Sequence, residues 1–520
     1  MNSTDLLIGI DIGTTGVKCI LLTPNGKIAA SEYLEHECIY PGPGYVEMDM
    51  WNNWWVNPAH AIRNILTKNK INAGQIKGVG ISGLYPAFGP TDRAGQPIAN
   101  AILYSDNRSY EEVFELNRKL GLQLSSEELT PKLIWFIRHQ PELAKKMAMF
   151  FDSMHYLVYK LTGAYVQDTQ TTGLWGAIYE SPSASWRADI CAQFDIPLDI
   201  LPEVHPPATI VGGVHAKAAH ETGLQEGTPV IAGLPDLTAS LISAGVVNKD
   251  ETCVYYGTAG LVPVMKDNLL NGVLKPYPIA ERGQSPQDGY IYDYPAYCLS
   301  VGEAVRWFRD QFGQAELARQ LQPGSISAYD QLNELAEKIR PGCDGLMLLP
   351  YFEGQRSPWF DPYAKGLFFG VASSHTRAHF YRAIQESFGY TIRHGFEEFY
   401  PGGHPIRRVV ATGGGAKSSL WRQIVSDITG FRQEYVQDAE GAIGSAYVAG
   451  IAIGWYQDFE PLRNDWVKVE AVTEPNPKVK PIYDEFFLVF RDLHQSLKAN
   501  FIQHHESQKR INTKYFEGEF

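Results

Sequence analysis

The sequence predicts an α/β protein with two domains that share one design. Its 520 residues exceed what a single hydrophobic core usually supports, so two domains of about 200–250 residues are expected. The first 85 residues follow the order strand, strand, strand, helix, strand. A small polar bend between two strands occurs at Gly13–Gly16 and again at Gly257–Gly260, which suggests that the second half repeats the first.

The first two strands form a predicted hairpin whose bend carries groups suited to phosphate. Six residues supply them: Asp11, Gly13, Thr14, Thr15, Gly16 and Lys18. Glycine lets the backbone bend sharply and approach a ligand closely. Backbone amides, hydroxyls and a lysine suit phosphate, and the carboxylate that ends the first strand suits hydrated Mg²⁺. The alternative is an ordinary hairpin whose threonines satisfy the turn.

The next elements complete the first domain. A turn and a third strand precede a helix that Asp49 caps, and the buried strand Gly78–Ser82 follows. Antiparallel strands at the start disfavour a dinucleotide-binding βαβ unit, which begins with strand, glycine-rich turn and helix. Further along, a buried strand at 230–232 leads into a loop that carries Asp236, and a helix starts at Leu237.

The second half contains two glycine-rich bends after predicted strands. Strand Thr252–Tyr256 leads into Gly257–Gly260, and strand Arg408–Thr412 leads into the loop Gly413–Gly415. A helix with one apolar face follows the second loop. A plain turn between strand and helix explains one glycine of that loop more easily than three.

Composition and charge disfavour several other classes of protein. A formal net charge of −13 argues against a broad nucleic-acid surface but leaves room for a small anionic ligand. No apolar run approaches the roughly 20 residues of a membrane span, and the N-terminus lacks a signal-peptide pattern. Six cysteines without a Cys-x-x-Cys pair favour neither zinc nor disulfides. We therefore expect a cytoplasmic protein with no nucleic-acid or membrane partner.

Six short motifs follow one another along the chain. They are Asp11-Ile12-Gly13-Thr14-Thr15, Pro131-Lys132-Leu133-Ile134-Trp135, Gly227-Thr228-Pro229-Val230, Gly257-Thr258-Ala259-Gly260, Lys365-Gly366-Leu367-Phe368-Phe369-Gly370 and Gly413-Gly414-Gly415-Ala416-Lys417. Together they resemble the FGGY carbohydrate kinases, the group that contains xylulokinases, glycerol kinases and ribulokinases. One motif is weak evidence, whereas the ordered set, within Leu7 to Gly454, is a strong signal.

The resemblance implies the fold shared by actin and the heat-shock chaperone ATPases, in which two domains of ribonuclease H type surround a central cleft. It implies a sugar- and phosphate-binding domain over 1–247, a nucleotide-binding domain over 248–500 and a polar tail over 501–520. The implied activity is phosphorylation of a hydroxyl on a small sugar or polyol, with ATP and Mg²⁺. The oligomeric state is left open, and a homodimer is one alternative.

The resemblance also implies a role for each polar motif. The terminal phosphates of ATP would contact Gly13, Thr14, Thr15 and Lys18 from the first domain, and Gly257 and Thr258 from the second. Asp11 would hold Mg²⁺ through water. Adenosine would lie over Gly413, Gly414 and Gly415, where a side chain would collide with it.

Asp236 is the implied general base that takes the proton from the attacking hydroxyl, and it would contact the substrate. From the residues alone, a cap for the helix that starts at Leu237 is the better explanation, and the resemblance reverses that preference. Pro235 and Leu237 depart from the family, which commonly has glycine before this aspartate and a small or polar residue after it. Proline restricts the backbone, so the loop should be stiffer.

The substrate contacts differ from those of xylulokinases. Tyr85, a predicted substrate contact, and Pro86 stand where xylulokinases carry a Met-His pair, and His155 stands where many relatives carry an acid. Asp106 matches the acidic substrate residue of the family, although a surface pair with Arg108 is the alternative. A ketopentose is the first expectation, with another polyol, an aldonate or a hexulose as alternatives. Outside the kinases, the alternatives are an actin-like or chaperone-like ATPase and a sugar-responsive regulator.

Overall fold

A computed structural model describes residues 4–42, 44–122, 124–180, 185–275, 291–358, 361–437, 439–511 and 514. The chain forms two compact units. The first comprises Met1–Lys249, Lys266–Ile291 and Ala439–Val467, and the second comprises Asp250–Met265, Tyr292–Asp438 and Lys468–Phe520. The predicted division at residue 247 follows chain order, whereas in the structure two later segments belong to the first unit.

The first unit is built on a seven-stranded mixed sheet. In spatial order its strands are Ile210–Gly213, Pro229–Ile231, Ile76–Gly83, Leu6–Ile12, Gly16–Leu22 and Ile28–Glu35, and Leu234–Pro235 also pairs with Ile76–Gly83. The first three strands of the chain are antiparallel neighbours, and Ile76–Gly83 lies parallel to Leu6–Ile12. Leu6–Ile12 is buried except at Asp11, as expected of an apolar run in a sheet covered on both faces.

Helices and short strands surround this sheet. The helices are Asn57–Lys68, Tyr110–Leu120, Leu129–His139, Pro141–Ala144, Ser153–Thr162, Ala188–Gln193, Ala216–Thr222, Asp236–Ser243, Leu269–Leu274 and Gly441–Ala452. The short strands are Glu47–Met48, Gly89–Thr91, Ala101–Ile102, Met149–Phe151, Val166–Asp168, Tyr179–Glu180, Ser185–Trp186 and Glu203–His205. The predicted cap at Asp49 is confirmed, since its Oδ1 accepts a hydrogen bond from the Asn52 amide at 3.0 Å.

The helix Gly441–Ala452 packs unusually close to this sheet. A side chain at Gly9 would collide with the Ala442 carbonyl, and one at Gly80 would collide with the Ser445 carbonyl. Glycine in the strands and small residues in the helix therefore allow backbone to meet backbone. This helix lies within the predicted C-terminal domain but belongs to the first unit.

The second unit is built on a six-stranded sheet. In spatial order its strands are Tyr292–Cys298, Gly260–Met265, Glu251–Tyr256, Arg408–Thr412, Gln433–Tyr435 and Ala471–Thr473. As in the first unit, three successive strands are antiparallel neighbours, two more strands continue the sheet in parallel, and an antiparallel strand ends it. The two sheets therefore share the same pattern of parallel and antiparallel neighbours, and the repeat suggested by the two polar bends is confirmed.

The second unit also contains helices Gly302–Phe312, Gln314–Gln320, Ala328–Glu337, Arg377–Phe399, Ser419–Thr429 and Lys480–Ile511, and strands Met347–Leu349 and Leu367–Phe369. The predicted polar tail begins inside the last helix, and residues 512, 513 and 515–520 lie outside the described residues. Within the described ranges, no helix is both long and apolar enough to cross a membrane.

Candidate active site

Asp11 and Asp236 lie at the same edge of the first sheet. Asp11 pairs in register with Ser82 of the neighbouring parallel strand, and its Oδ1 accepts a hydrogen bond from Ser82 Oγ at 2.7 Å. Leu234 pairs with the same Ser82 from the other side, so the chain reaches Asp236 two residues later. The carboxyl ends of parallel strands are a common place for ligands to bind.

Both carboxyl groups have raised pKa values. Burial raises the pKa of Asp236 to about 7, and the charge of Asp11 contributes in the same direction. Burial likewise raises the pKa of Asp11 to about 6, with a further contribution from Glu440 that the Ser82 hydrogen bond and Lys18 oppose. A carboxyl that titrates near neutral pH is suited to proton transfer.

Asp236 is the first residue of helix Asp236–Ser243, and this position bears on whether it is merely a cap. Its Oδ1 accepts a hydrogen bond from the adjacent Leu237 amide at 2.6 Å. A capping side chain normally reaches an amide two or three residues ahead, which this bond does not. Among the described residues, no donor reaches its second oxygen, which is therefore available to a ligand.

Lys18 lies directly across the hairpin from Asp11, with which it pairs in register. Its ammonium forms an ion pair with Glu440, with 2.5 Å between Nζ and Oε1. Glu440 immediately precedes helix Gly441–Ala452, and only glycine fits at position 441, where a Cβ would lie 2.8 Å from Asp11 Cγ. No local motif indicates Glu440, because 422 residues separate it from Lys18.

The carboxylates Asp11, Asp236 and Glu440 give this edge of the first unit a negative charge. A hydrated dication fits such a donor set, because its charge would offset the burial and the mutual repulsion that raise the pKa values of Asp11 and Asp236. Within the described ranges, no three acidic, cysteine or histidine side chains form a direct metal cage. The residues present therefore suit a cation held largely through water.

Tyr104 is a second residue near the site that no sequence motif indicates. Its side chain hydrogen-bonds that of Thr14, and the nearby Asp236 carboxylate adds to the effect of burial in raising the pKa of Tyr104. The tyrosine therefore lies close to both the bend at Gly13–Gly16 and the aspartate at the helix start.

In the second unit, the bend Gly257–Gly260 is tied to the start of helix Gly302–Phe312. The Gly257 carbonyl accepts from the Gly302 amide at 2.9 Å, and the Thr258 carbonyl accepts from the Val301 and Glu303 amides at 3.0 and 3.2 Å. A side chain at Gly302 would collide with Gly257. The bend therefore has a fixed backbone in which the Gly257 and Thr258 carbonyls are already bonded.

The loop Gly413–Gly415 follows the strand that pairs in parallel with Glu251–Tyr256. Gly413 has a φ of 95°, and a Cβ there would lie 2.9 Å from the Tyr256 carbonyl oxygen. A Cβ on Gly415 would lie 2.5 Å from the Trp421 ring, whereas one on Gly414 would have no heavy atom within 4 Å. Packing within the protein thus explains two of the glycines, and only Gly414 leaves open space for a ligand.

Asp106 is completely buried and its carboxylate is bonded to protein donors. It accepts hydrogen bonds from the Val46 amide at 2.6 Å and from three nitrogens of Arg108 at 2.7–2.9 Å. A carboxylate has about four acceptor sites, so these bonds occupy its capacity. The pair with Arg108 is buried rather than at the surface, and substrate contact by Asp106 stays a prediction.

The loop that carries Tyr85 is supported by a buried polar cluster. Asp152 Oδ1 accepts from the Ala87 amide at 2.8 Å. His155 lies 3.4 Å from Asp152 and 3.2 Å from Asp168, and these carboxylates raise its pKa to about 9 against the opposing effect of burial. Tyr85 itself is partly buried against the core, so its role at the substrate stays a prediction.

Comparison with known proteins gives matches to one protein family over most of the chain. Models of the N-terminal and C-terminal domains of the FGGY family of carbohydrate kinases match residues 6–243 and 253–453. A xylulose kinase of Bacillus subtilis (strain 168) is 28% identical over 510 residues, covering 95% of this chain and 99% of the relative. A gluconokinase of Bacillus licheniformis is 26% identical over 540 residues, covering 98% and 100%.

The xylulose kinase structure from Rhodospirillum rubrum matches with a TM-score of 0.82 at 27% identity, over 95% of this chain and 99% of that chain. This similarity and the repeated sheet confirm the predicted actin-like ATPase fold. Because the two family models together cover most of its length, the chain belongs to the FGGY family of carbohydrate kinases and is a sugar kinase.

Proposed function

We propose that this kinase transfers the terminal phosphoryl group of ATP to a hydroxyl of a small sugar, with Asp236 as the general base. The observation that carries the proposal is the position of Asp236 beside Asp11, with a pKa raised to about 7. A base is most effective when its pKa is near the working pH. The second oxygen of Asp236, which accepts no hydrogen bond from the described residues, is where the hydroxyl would bind.

Asp236 removes the proton of the acceptor hydroxyl while the hydroxyl oxygen bonds to the terminal phosphorus. The bond from that phosphorus to the bridging oxygen breaks, ADP leaves, and the proton then passes from Asp236 to solvent. Positioning and charge stabilisation contribute most of the rate in such reactions. Asp11 is the residue that would hold Mg²⁺ through water, and the ion would supply compensation for the phosphate charge.

The bends would bind the phosphates through backbone amides. Thr14 and Thr15 in the first unit, and Thr258 in the second, lie in bends whose carbonyl groups are already bonded to protein. Adenosine would approach Gly414, the loop glycine beside which the described chain leaves space. Lys18 would meet the phosphates alongside its ion pair with Glu440.

A ketopentose is the acceptor we favour, and an aldonate is the second candidate. The similarity to a xylulose kinase supports the first, and the similarity to a gluconokinase, which covers the chain equally well, supports the second. The buried Asp106–Arg108 pair leaves little free charge for sugar recognition. Discrimination would therefore fall on the loop that carries Tyr85.

The test is an ADP-release assay with Mg·ATP and a panel of pentuloses, hexuloses, polyols and aldonates, run on the wild type and Asp236→Asn. We expect Asp236→Asn to lower kcat on the preferred sugar by about 10²–10⁴-fold while ATP still binds, because only proton removal is lost. The exposed Asp199→Asn serves as the matched control and should keep wild-type kcat. Near-normal turnover by Asp236→Asn would rule out the base assignment.

A further inference from the structure

The carbonyl groups of the bend at Gly13–Gly16 are held by one neighbouring stretch, residues 33–38, which we term the supporting segment. His36 Nε2 lies 2.9 Å from the Gly13 carbonyl oxygen, and Cys38 Sγ lies 3.7 Å from that of Thr14. The Thr15 carbonyl accepts from the Tyr33 hydroxyl at 3.2 Å and from the His36 amide at 3.0 Å. Three consecutive carbonyls are thus fixed from the same stretch of chain.

Fixing these carbonyls also fixes the amides of the bend. In a trans peptide unit the C=O and N–H groups point in opposite directions within one plane. The Gly13 carbonyl shares its plane with the Thr14 amide, and the Thr14 carbonyl shares its plane with the Thr15 amide. Both amides therefore point away from the supporting segment, and neither has a hydrogen-bond partner among the described residues.

His36 has the geometry of a dedicated donor. To donate to a carbonyl, Nε2 must carry a proton, and burial lowers the pKa of His36, which favours the neutral ring. Nδ1 is buried and has no hydrogen-bond partner in the described part of the chain. The single contact that the ring nitrogens make is therefore directed at the bend.

The second unit builds an equivalent support from backbone groups alone. There the Gly257 and Thr258 carbonyls are held by amides at the start of helix Gly302–Phe312. The Thr258 and Ala259 amides likewise have no partner among the described residues. In both bends the carbonyls are bonded and the amides are available, although different groups hold the carbonyls. The direction of the amides is therefore what the two bends have in common.

We propose that His36 is a positioning residue for nucleotide phosphate, holding the Gly13 carbonyl so that the Thr14 and Thr15 amides face the phosphate. Tyr33 and Cys38 complete the support. The proposal rests on the proposed function, since it takes the bend to be a phosphate-binding site. His36 does not touch the phosphate itself, so its loss should weaken nucleotide binding more than it slows the chemical step.

The experiment compares His36→Ala, His36→Gln and the exposed His60→Ala by calorimetric titration of Mg·ATP without sugar, and by steady-state kinetics. We expect His36→Ala to raise both the Kd and the KM for ATP about five- to tenfold, as loss of one hydrogen bond allows. The kcat and the sugar KM should stay within about twofold. His36→Gln should restore binding, because its amide can donate from a similar position, and His60→Ala should match the wild type.

Tyr33→Phe provides a second, milder variant that removes only the hydroxyl contact to Thr15. It should raise the Kd for ATP about two- to fivefold without lowering the melting temperature. Unchanged ATP affinity in His36→Ala would overturn the proposal, as would a parallel loss of sugar and ATP affinity that His36→Gln fails to rescue. Failure of the wild type to bind ATP would instead overturn the proposed function.

Discussion

Asp11 and Asp236 ionise in surroundings that disfavour two negative charges. Each loses hydration on burial, and the fold places a further carboxylate near each one. The chain therefore maintains an edge of the sheet that is unfavourable without a cation. Functional sites commonly lower the stability of the folded protein in this way, because a reactive group needs surroundings that are unfavourable for folding.

The pKa of Asp236 predicts how stability depends on pH. Because its folded pKa is raised, the stability linked to this group is complete below its ordinary pKa near 4 and is lost as pH rises through about 7. We expect Asp236→Asn, which cannot ionise, to be more stable than the wild type at pH 8 by up to about 4 kcal/mol, since the pKa is raised by about three units and one unit corresponds to about 1.4 kcal/mol. Below pH 4 the difference should vanish.

Urea unfolding at pH 4, 6 and 8, without Mg²⁺ or nucleotide, measures this effect. Asp199→Asn is again the control, since its exposed side chain should contribute little to stability. Equal stability of Asp236→Asn and wild type at pH 8 would contradict the raised pKa.

The sequence predicted Asp11 from a short local motif at the end of a strand, whereas Asp236 was predicted through the family resemblance, because its neighbouring residues alone favour a helix cap. It could not predict Glu440, Ser82 or the support from His36, since these contacts depend on how distant strands and helices pack. Asp106 illustrates a different limit. The spacing of Asp106 from Arg108 is visible in the sequence. The burial of Asp106 and the hydrogen bonds that occupy its carboxylate are not.

At the scale of elements, the loop Gly413–Gly415 shows that glycines in one motif serve different purposes. Gly413 adopts a left-handed φ. Gly415 has no side chain, which leaves room for the Trp421 ring to pack against it. Gly414 has neither constraint. The sequence predicted the loop and the strand and helix around it, yet assigned all three glycines to ligand contact because internal packing cannot be seen in the motif.

These differences predict that two alanine substitutions affect different properties, protein stability in one case and nucleotide binding in the other. Gly415→Ala should destabilise the protein by about 1–3 kcal/mol, because its Cβ overpacks against Trp421. Gly414→Ala should leave the melting temperature unchanged and instead weaken ADP binding, since its Cβ enters the space proposed for adenosine. Thermal unfolding and ADP titration separate the two effects. Wild-type ADP affinity in Gly414→Ala would argue against adenosine at this loop.

At the scale of the whole molecule, two sheets with the same pattern of parallel and antiparallel neighbours differ in the chain order of their last two strands. In the first unit the antiparallel end strand, Ile210–Gly213, precedes its neighbour in the chain, whereas in the second unit Ala471–Thr473 follows its neighbour. The sequence indicated this duplication through two four-residue bends. The sequence did not indicate that helix Gly441–Ala452 covers the first sheet. The small residues of this helix predict close packing but not the surface against which the helix packs.

This arrangement predicts that residues 1–249 do not fold properly by themselves. Without the helix, the apolar face around Gly9 and Gly80 is exposed and should cause aggregation. Linking residues 439–467 to the fragment should yield a unit that resists limited proteolysis. The same fusion with Gly444→Val is the control, since a side chain there would collide with Ala239. Cooperative unfolding of the fragment alone would contradict the prediction.

The position of helix Gly441–Ala452 also sets the timing of folding in the cell. About 190 residues lie between Lys249 and Ala439, and ribosomes add roughly 5–20 residues per second. Synthesis of the last helix of the first unit thus follows synthesis of most of that unit by on the order of 10–40 s. We expect the growing polypeptide to expose one face of its sheet during that interval, and chaperones that bind apolar surface on nascent chains to recognise it.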